Sequence, residues 1–184
     1  ESEQQTAATI GFITATLSGL ETTGSAIAWV DMRRNVFPAA LQSFGIDPGK
    51  IFFIHPTRQR DLQWTVEELL KCAGLAAVVA NMPLNFMSSR RLQLAVEQSR
   101  VTGFVMHATP RRAVTTATVA SWRVRSIGSE LEDGLPGVGF PQWQVDLLKV
   151  RNGVPGSWQL RWHHGVFKLI SQAVSGRTPL IKTA

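Results

Sequence analysis

Apolar residues recur at helical spacing over residues 7–20, at Ala7, Ile10, Ile13, Leu17 and Leu20, and Gly24 closes the run. Four short stretches are then apolar without alternation: residues 25–30, 51–54, 75–80 and 101–106. Continuous apolarity over so few residues predicts strands buried on both faces. Helical segments lie between them. Pro38 starts one that stops at Gly45, and Asp61 caps a second through Cys72, with Leu62, Val66, Leu69 and Leu70 inward and Gly74 at its end. Either Ser88 or Ser89 caps a third, which runs to Ser99. Strands alternating with helices in this way predict an α/β fold, a mostly parallel twisted sheet flanked by helices.

The pattern then changes. Residues 117–127, 143–150 and 157–162 alternate apolar with polar positions, as Val145, Leu147 and Leu160 against Gln144, Asp146 and Gln159. Alternation predicts antiparallel strands with one wet face, a C-terminal extension of the sheet. Asn152-Gly153 supplies a turn between the last two, and the Gly- and Pro-rich residues 130–141 form a loop. Residues 171–184 read as a flexible tail, leaving a single domain over 1–170. Trp29 and Trp64 are expected in the core. Trp122, Trp143, Trp158 and Trp162 fall on the late strands and serve either core packing or a protein interface.

Composition narrows the possibilities. The 184 residues carry 19 Lys and Arg against 13 Asp and Glu, a formal charge of +6. That balance suits an acidic partner, nucleic acid or protein, and the predominance of Arg favours bidentate contact with phosphate or carboxylate. A single cysteine, Cys72, excludes an intramolecular disulfide and a cysteine-based zinc cluster. No apolar run approaches the length needed to cross a bilayer, so a cytoplasmic location without membrane association is expected. The first residue is Glu1 rather than Met, without a signal-peptide pattern, so a chain trimmed at its start is expected.

Catalytic signatures are scarce. A nucleotide-hydrolysing α/β domain carries G-x-x-x-x-G-K-[ST] before its first long helix, where glycines let backbone N–H groups reach the phosphates and the lysine neutralises them. Residues 1–9 contain neither glycine nor lysine. The run from Gly19 to Ser25 copies the spacing but lacks the lysine and joins a helix to a strand, and Gly49-Lys50 is a turn. His55, His107, His163 and His164 have no cysteine or acid at ligand spacing. Glu67-Glu68 is a pair on a helix surface, and Ser18, Ser88 and Ser89 belong to no G-x-S-x-G elbow.

Several runs nonetheless resemble the RecA recombinase beyond its phosphate loop. They are Ala26-Ile27-Ala28-Trp29-Val30-Asp31, Phe44-Gly45-Ile46-Asp47-Pro48-Gly49-Lys50-Ile51, Leu75-Ala76-Ala77-Val78-Val79 and Ala120-Ser121-Trp122-Arg123-Val124. The likeness ends with Leu148-Lys149-Val150-Arg151-Asn152-Gly153-Val154-Pro155, so it spans nearly the whole chain in order. Within that superfamily the chain is identified as similar to the ImuA family, of Bacteroidetes type. This rests on Ser89-Arg90-Arg91-Leu92-Gln93-Leu94-Ala95-Val96-Glu97, on Pro136-Gly137-Val138-Gly139-Phe140-Pro141, and on Leu148 to Gly153 followed by Pro155-Gly156-Ser157-Trp158.

The resemblance implies a RecA-like core whose ATP chemistry is lost. The glutamate that activates water in RecA falls at Arg33, and a guanidinium cannot accept a proton. The magnesium-holding aspartate falls near Asn81 or is absent, and the γ-phosphate-sensing glutamine falls near His107 or Ala108. No catalytic, cofactor or metal residue is expected, and no cofactor. At the carboxyl ends of the strands, where open parallel sheets bind ligands, the sequence places Arg33, Arg34, Arg58 and Arg60, then Arg111 and Arg112. Arg90 and Arg91 lie near the start of a helix, and the resemblance puts Lys149 and Arg151 where RecA reaches a neighbouring protomer's nucleotide. These arginines form either one basic rim or ordinary solvated loops.

By the same resemblance the function is that of a non-enzymatic accessory in DNA-damage-induced error-prone repair, that is, SOS mutagenesis and translesion synthesis. The implied partners are an ImuB-like polymerase homologue, a DnaE-type polymerase assembly, RecA filaments and DNA, with self-association also open. Two other readings stand beside it. One is a SulA-like cell-division inhibitor binding FtsZ. The other is a weak ATPase completed by residues upstream of Glu1.

Overall fold

A computed structural model describes residues 3–20, 26–107, 115–129 and 137–173. The chain divides into two compact units, Glu1–Thr118 and Val119–Ala184.

The first unit is built on four parallel strands. Helix α1 (Glu3–Ser18) begins one turn earlier than its apolar spacing suggests. Its hydroxyls bond back into the helix, Thr9, Thr14 and Thr16 donating to the carbonyls four residues earlier at 3.0, 2.8 and 2.8 Å, which satisfies otherwise poor helix formers. Strand β1 (Ala26–Val30) follows, then a 3-10 helix at Pro38–Phe44, with Pro38 in its first turn and Gly45 closing it at φ 82°. Next come β2 (Ile51–Ile54), α2 (Gln59–Leu70), β3 (Leu75–Asn81), α3 (Phe86–Ser99) and β4 (Thr102–Met106).

Two helix starts differ from expectation. Asp61 sits inside the first turn of α2, where its charge complements the helix dipole, and Arg58 occupies the cap. The cap of α3 is Asn85, not a serine. Its side chain accepts from the Ser88 N–H at 2.8 Å while the Ser88 hydroxyl accepts from the Asn85 N–H at 3.0 Å, a reciprocal box.

The sheet order is β2-β1-β3-β4. Alternate residues of the central strands feed two cores. Ala28, Val30, Val78 and Ala80 pack with Leu62, Val66 and Leu70 of α2 and with Leu92 and Ala95 of α3. Ile27, Trp29, Ala77 and Val79 pack with Ile13 and Leu17 of α1 and with Leu41 of the 3-10 helix. Both faces of β1 and β3 are therefore covered, as their unbroken apolar runs demand. Strand β2 is an edge and leaves Phe52 exposed, so its apolarity does not signal burial on both faces. Trp64 is also outside the core: it is 64% exposed on α2, between inward Leu62 and Val66.

The antiparallel strands pair only with one another among the described residues, as β5 (Ala120–Ser126), β6 (Gln142–Val150), β7 (Gly156–His163) and β8 (Val166–Ala173), in that order. They form a second sheet, where an extension of the first was expected. Strand β8 occupies residues where the sequence suggested no strand and where the tail was placed, so Ser171–Ala173 are strand. Its turn is His164-Gly165, both at positive φ (49° and 80°), as two-residue hairpins require.

This sheet has one apolar and one polar face. Trp143, Val145 and Leu147 of β6 stand opposite Leu160, Trp158 and Gly156 of β7, and Leu160 in turn opposite Leu169. Trp122 and Val124 share their side. On the other side, Arg123 and Arg125 stand opposite Asp146 and Gln144, which face Ser157 and Gln159. All four late tryptophans thus lie on the apolar face. Trp143 and Trp162 are buried, Trp158 is half-buried and Trp122 is 50% exposed.

Candidate functional site

In an open parallel sheet the ligand crevice forms where neighbouring strands send their connections in opposite directions. Strand β1 leads to β2 on one side through the 3-10 helix, and β3 leads to β4 on the other through α3. The two connections cross opposite faces of the sheet. The crevice therefore opens between the carboxyl ends of β1 and β3, at Asp31 and Asn81.

There the carboxylate of Asp31 is 3% exposed and engaged on both oxygens. Oδ1 accepts the Arg33 backbone N–H at 2.9 Å and Oδ2 accepts the Asn81 side-chain amide at 3.3 Å. The Asp31 backbone joins β2 as well: its N–H donates to Ile54 at 3.1 Å, and its carbonyl meets Nδ1 of His55 at 2.8 Å. Asn81 thus sits against the strand-ending aspartate. The carboxylate, the amide and the imidazole hold the strand ends to one another.

The arginines expected around this crevice are placed unevenly. Arg33 and Arg34 follow β1, Arg58 and Arg60 open α2, and all four are exposed. Arg60 reaches Asp61 at 3.4 Å. Arg90 and Arg91 lie in the first two turns of α3, where Arg90 donates to Gln93 at 2.8 Å and Arg91 pairs with Glu67 of α2 at 2.5 Å. Glu67 also meets Lys71 at 3.4 Å, so this carboxylate ties the two helices together. The hydrogen bond from the Lys71 ammonium to Glu68, with the charges of both glutamates, outweighs the opposing cost of desolvation and raises its pKa above the ordinary lysine value. Glu67 and Glu68 lie on α2, where the sequence put a surface pair, and both are ion-paired there. Arg111, Arg112 and Ala108 lie outside the described residues. Lys149 and Arg151 belong to the second unit, at the end of β6.

Apolar residues that the sequence did not single out accompany these arginines. Met32 and Phe37 follow β1, and Phe86 and Met87 open α3 after β3; all are exposed, Phe37 and Met87 by 72% and 71%. Because the strands are parallel, all of these segments leave one end of the sheet. The sequence carried little signal for them: Met32 and Phe37 lie outside any helical or strand period, and Phe86 and Met87 precede the serines at which the sequence started the helix.

Among the described residues no group of three or more His, Cys, Asp or Glu could hold a metal ion. No helix among them is long and apolar enough to cross a membrane.

No family model matches the chain. Protein ImuA from two strains of Caulobacter vibrioides is 30% identical over 182 residues, covering 90% of this chain and 75% of the relative. The chain belongs to the ImuA family. Among solved structures, SulA from Pseudomonas aeruginosa matches this ImuA-family chain with a TM-score of 0.47 and 15% identity, over 54% of this chain and 85% of that one. So slight a likeness defines neither fold nor function.

Proposed function

We propose that this protein is a non-catalytic, RecA-like accessory factor of damage-induced error-prone repair, acting in SOS mutagenesis and translesion synthesis. It docks an ImuB-type polymerase homologue within a DnaE-type polymerase assembly and engages RecA. The observation that carries the reading is membership of the ImuA family along nearly the full chain. The crevice geometry supports the non-catalytic part, because Asp31 is buried and hydrogen-bonded and Arg33 stands where the RecA resemblance puts a general base.

The rim supports the docking part. Protein interfaces are enriched in aromatic residues, Met and Arg, with apolar anchors at the centre of contact. Phe37, Met87 and Phe86 together with Arg33, Arg34 and Arg58 have that composition and leave one end of the sheet. An ImuB-type partner contributes a complementary apolar and acidic surface.

Capture experiments on the full-length protein test this. The wild type retains ImuB-type and RecA partners, and Phe37→Ala with Met87→Ala reduces ImuB capture at least tenfold. Unchanged capture by that double variant refutes the rim. Retention of FtsZ in place of ImuB supports the SulA-like alternative instead. Calorimetric titration with Mg·ATP gives no binding heat, and saturable binding with turnover refutes the non-catalytic reading.

A further inference from the structure

The polar face of the second sheet is more regular, and more basic, than alternation along the strands would make it. Simple alternation from Val145 would carry Lys149 to the apolar side. Instead the register steps from Trp122 opposite Leu147 to Ser121 opposite Lys149, leaving Leu148 as an extra residue. This bulge returns Lys149 to the side of Ser121 and Arg123. A second step occurs between β7 and β8, where Leu160 faces Leu169 but Gln159 faces Ser171, and Ile170 is the extra residue. Ser171 is thereby kept on the side of Gln159 and of Lys168, which faces Arg161.

Five cations therefore share this face: Arg123, Arg125, Lys149, Arg161 and Lys168. Among the described residues its one carboxylate is Asp146, which bonds Arg125 at 2.9 Å and also accepts from Ser157 and Gln144. Arg161 and Lys168 are directly opposed, an arrangement of like charges that costs stability. Serine and glutamine side chains fill the space between the cations, and Arg123, Arg125, Lys149 and Lys168 are exposed.

We infer that this face is a platform for the phosphate backbone of duplex DNA, read without regard to sequence. Arg and Lys interleaved with Ser and Gln are the side chains that contact phosphates. The tryptophans lie on the opposite side; the ring carried on this side, His163, sits at the β7–β8 turn opposite Val166 and against Phe140 at 4.5 Å, so among the described residues neither a stacking ring nor an apolar anchor lies among the cations further along the strands. It differs in both respects from the Phe- and Met-bearing rim of the first unit. The inference is independent of which protein docks on that rim.

Fluorescence anisotropy of the full-length protein with a labelled duplex of arbitrary sequence tests the assignment. The wild type binds the duplex, and affinity falls steeply between about 50 and 200 mM salt. Combining Arg123→Ala, Lys149→Ala and Lys168→Ala lowers the slope of log affinity against log salt by about 2–3, roughly one for each phosphate left without its cation. The single variant Lys168→Glu, which leaves the other side chains in place, weakens binding in the same direction and guards against a misfolded triple. Combining Arg33→Ala, Arg34→Ala and Arg58→Ala leaves the slope unchanged.

Absence of duplex binding at the low end of that salt range overturns the assignment. So does an unchanged slope in the triple variant, or a preference for single strands at equal phosphate concentration. Polyglutamate competing as well as duplex at equal charge assigns the face to an acidic protein instead. Capture of the ImuB-type partner by the triple variant stays intact. Loss of that capture by the wild type, with duplex binding kept, counts against the docking reading and leaves this inference standing.

Discussion

Replacing Asp31 by alanine distinguishes a structural carboxylate from one retained for chemistry. The side chain is buried and accepts two hydrogen bonds, from the Arg33 N–H at 2.9 Å and from Asn81 at 3.3 Å. A hydrogen bond to a charged acceptor contributes about 1.5–3 kcal/mol. The longer Asn81 bond adds less, because Asn81 is half-buried and water can replace the missing oxygen. The alanine variant is therefore expected to lose about 2–3 kcal/mol. Asp31→Asn keeps an oxygen for the Arg33 N–H, and the Asn81 amide can turn to present its carbonyl, so that variant loses less than about 1 kcal/mol. Urea unfolding followed by far-ultraviolet circular dichroism measures both. With a slope of about 1–3 kcal/mol per molar, the alanine midpoint falls by roughly 1 M. An alanine variant as stable as the wild type, or more stable, refutes the reasoning. It would mark a carboxylate held against stability, as active-site groups often are.

Three further outcomes are expected. A Cβ at Gly156 would lie 2.6 and 2.7 Å from Cη2 and Cζ2 of Trp158, so Gly156→Ala displaces the indole; the loss is about 1–3 kcal/mol, with a change in tryptophan emission, and unaltered emission counts against the packing. At Asp146 burial alone would raise the pKa, but hydrogen bonds from Ser157 and Gln144 and the charge of Arg125 outweigh it and hold the pKa below 3.8. A depressed carboxylate stabilises the fold above its unfolded pKa and loses that contribution as pH falls through the folded value. Urea midpoints at about pH 5 and about pH 3, which bracket the ordinary carboxylate pKa, should therefore fall further in the wild type than in Asp146→Asn. Arg100 closes α3 at φ 63°, so Arg100→Gly raises stability by about 0.5–1 kcal/mol in thermal unfolding, and a loss would show the arginine side chain to be holding the helix end.

The parallel half was legible because its strands need cover on both faces, and only uninterrupted apolar runs such as Ile27 to Val30 and Ala77 to Ala80 meet that need. The same rule misleads at an edge, where Phe52 keeps the composition of a buried strand without its neighbours. Trp64 was misplaced because size was read as burial, although Leu62, Val66 and Leu70 already complete the inward stripe of α2. Strand β8 was overlooked because Ile170 is the extra residue of a bulge and breaks the alternation from Phe167 and Leu169. The arginines of the rim were visible as residue types. Their apolar companions were not, because Phe37 and Met87 have no periodic place and only the common end of parallel strands brings them together.

The two surfaces rest on different physical terms, and this makes them separable however the two units are arranged. A contact centred on Phe37, Phe86 and Met87 gains most of its free energy from apolar area withdrawn from water, which simple salt weakens little. A contact made by Arg123, Lys149 and Lys168 with phosphates gains it from released counterions, and so collapses as salt rises. Raising ionic strength should therefore strip nucleic acid from the protein while leaving its protein partner bound. On the proposed reading the same asymmetry suits an accessory factor that would stay with a polymerase assembly and exchange rapidly along DNA. Sequence-independent backbone contact would then let such an assembly load wherever a lesion has stopped synthesis, with specificity lying with the docked partners.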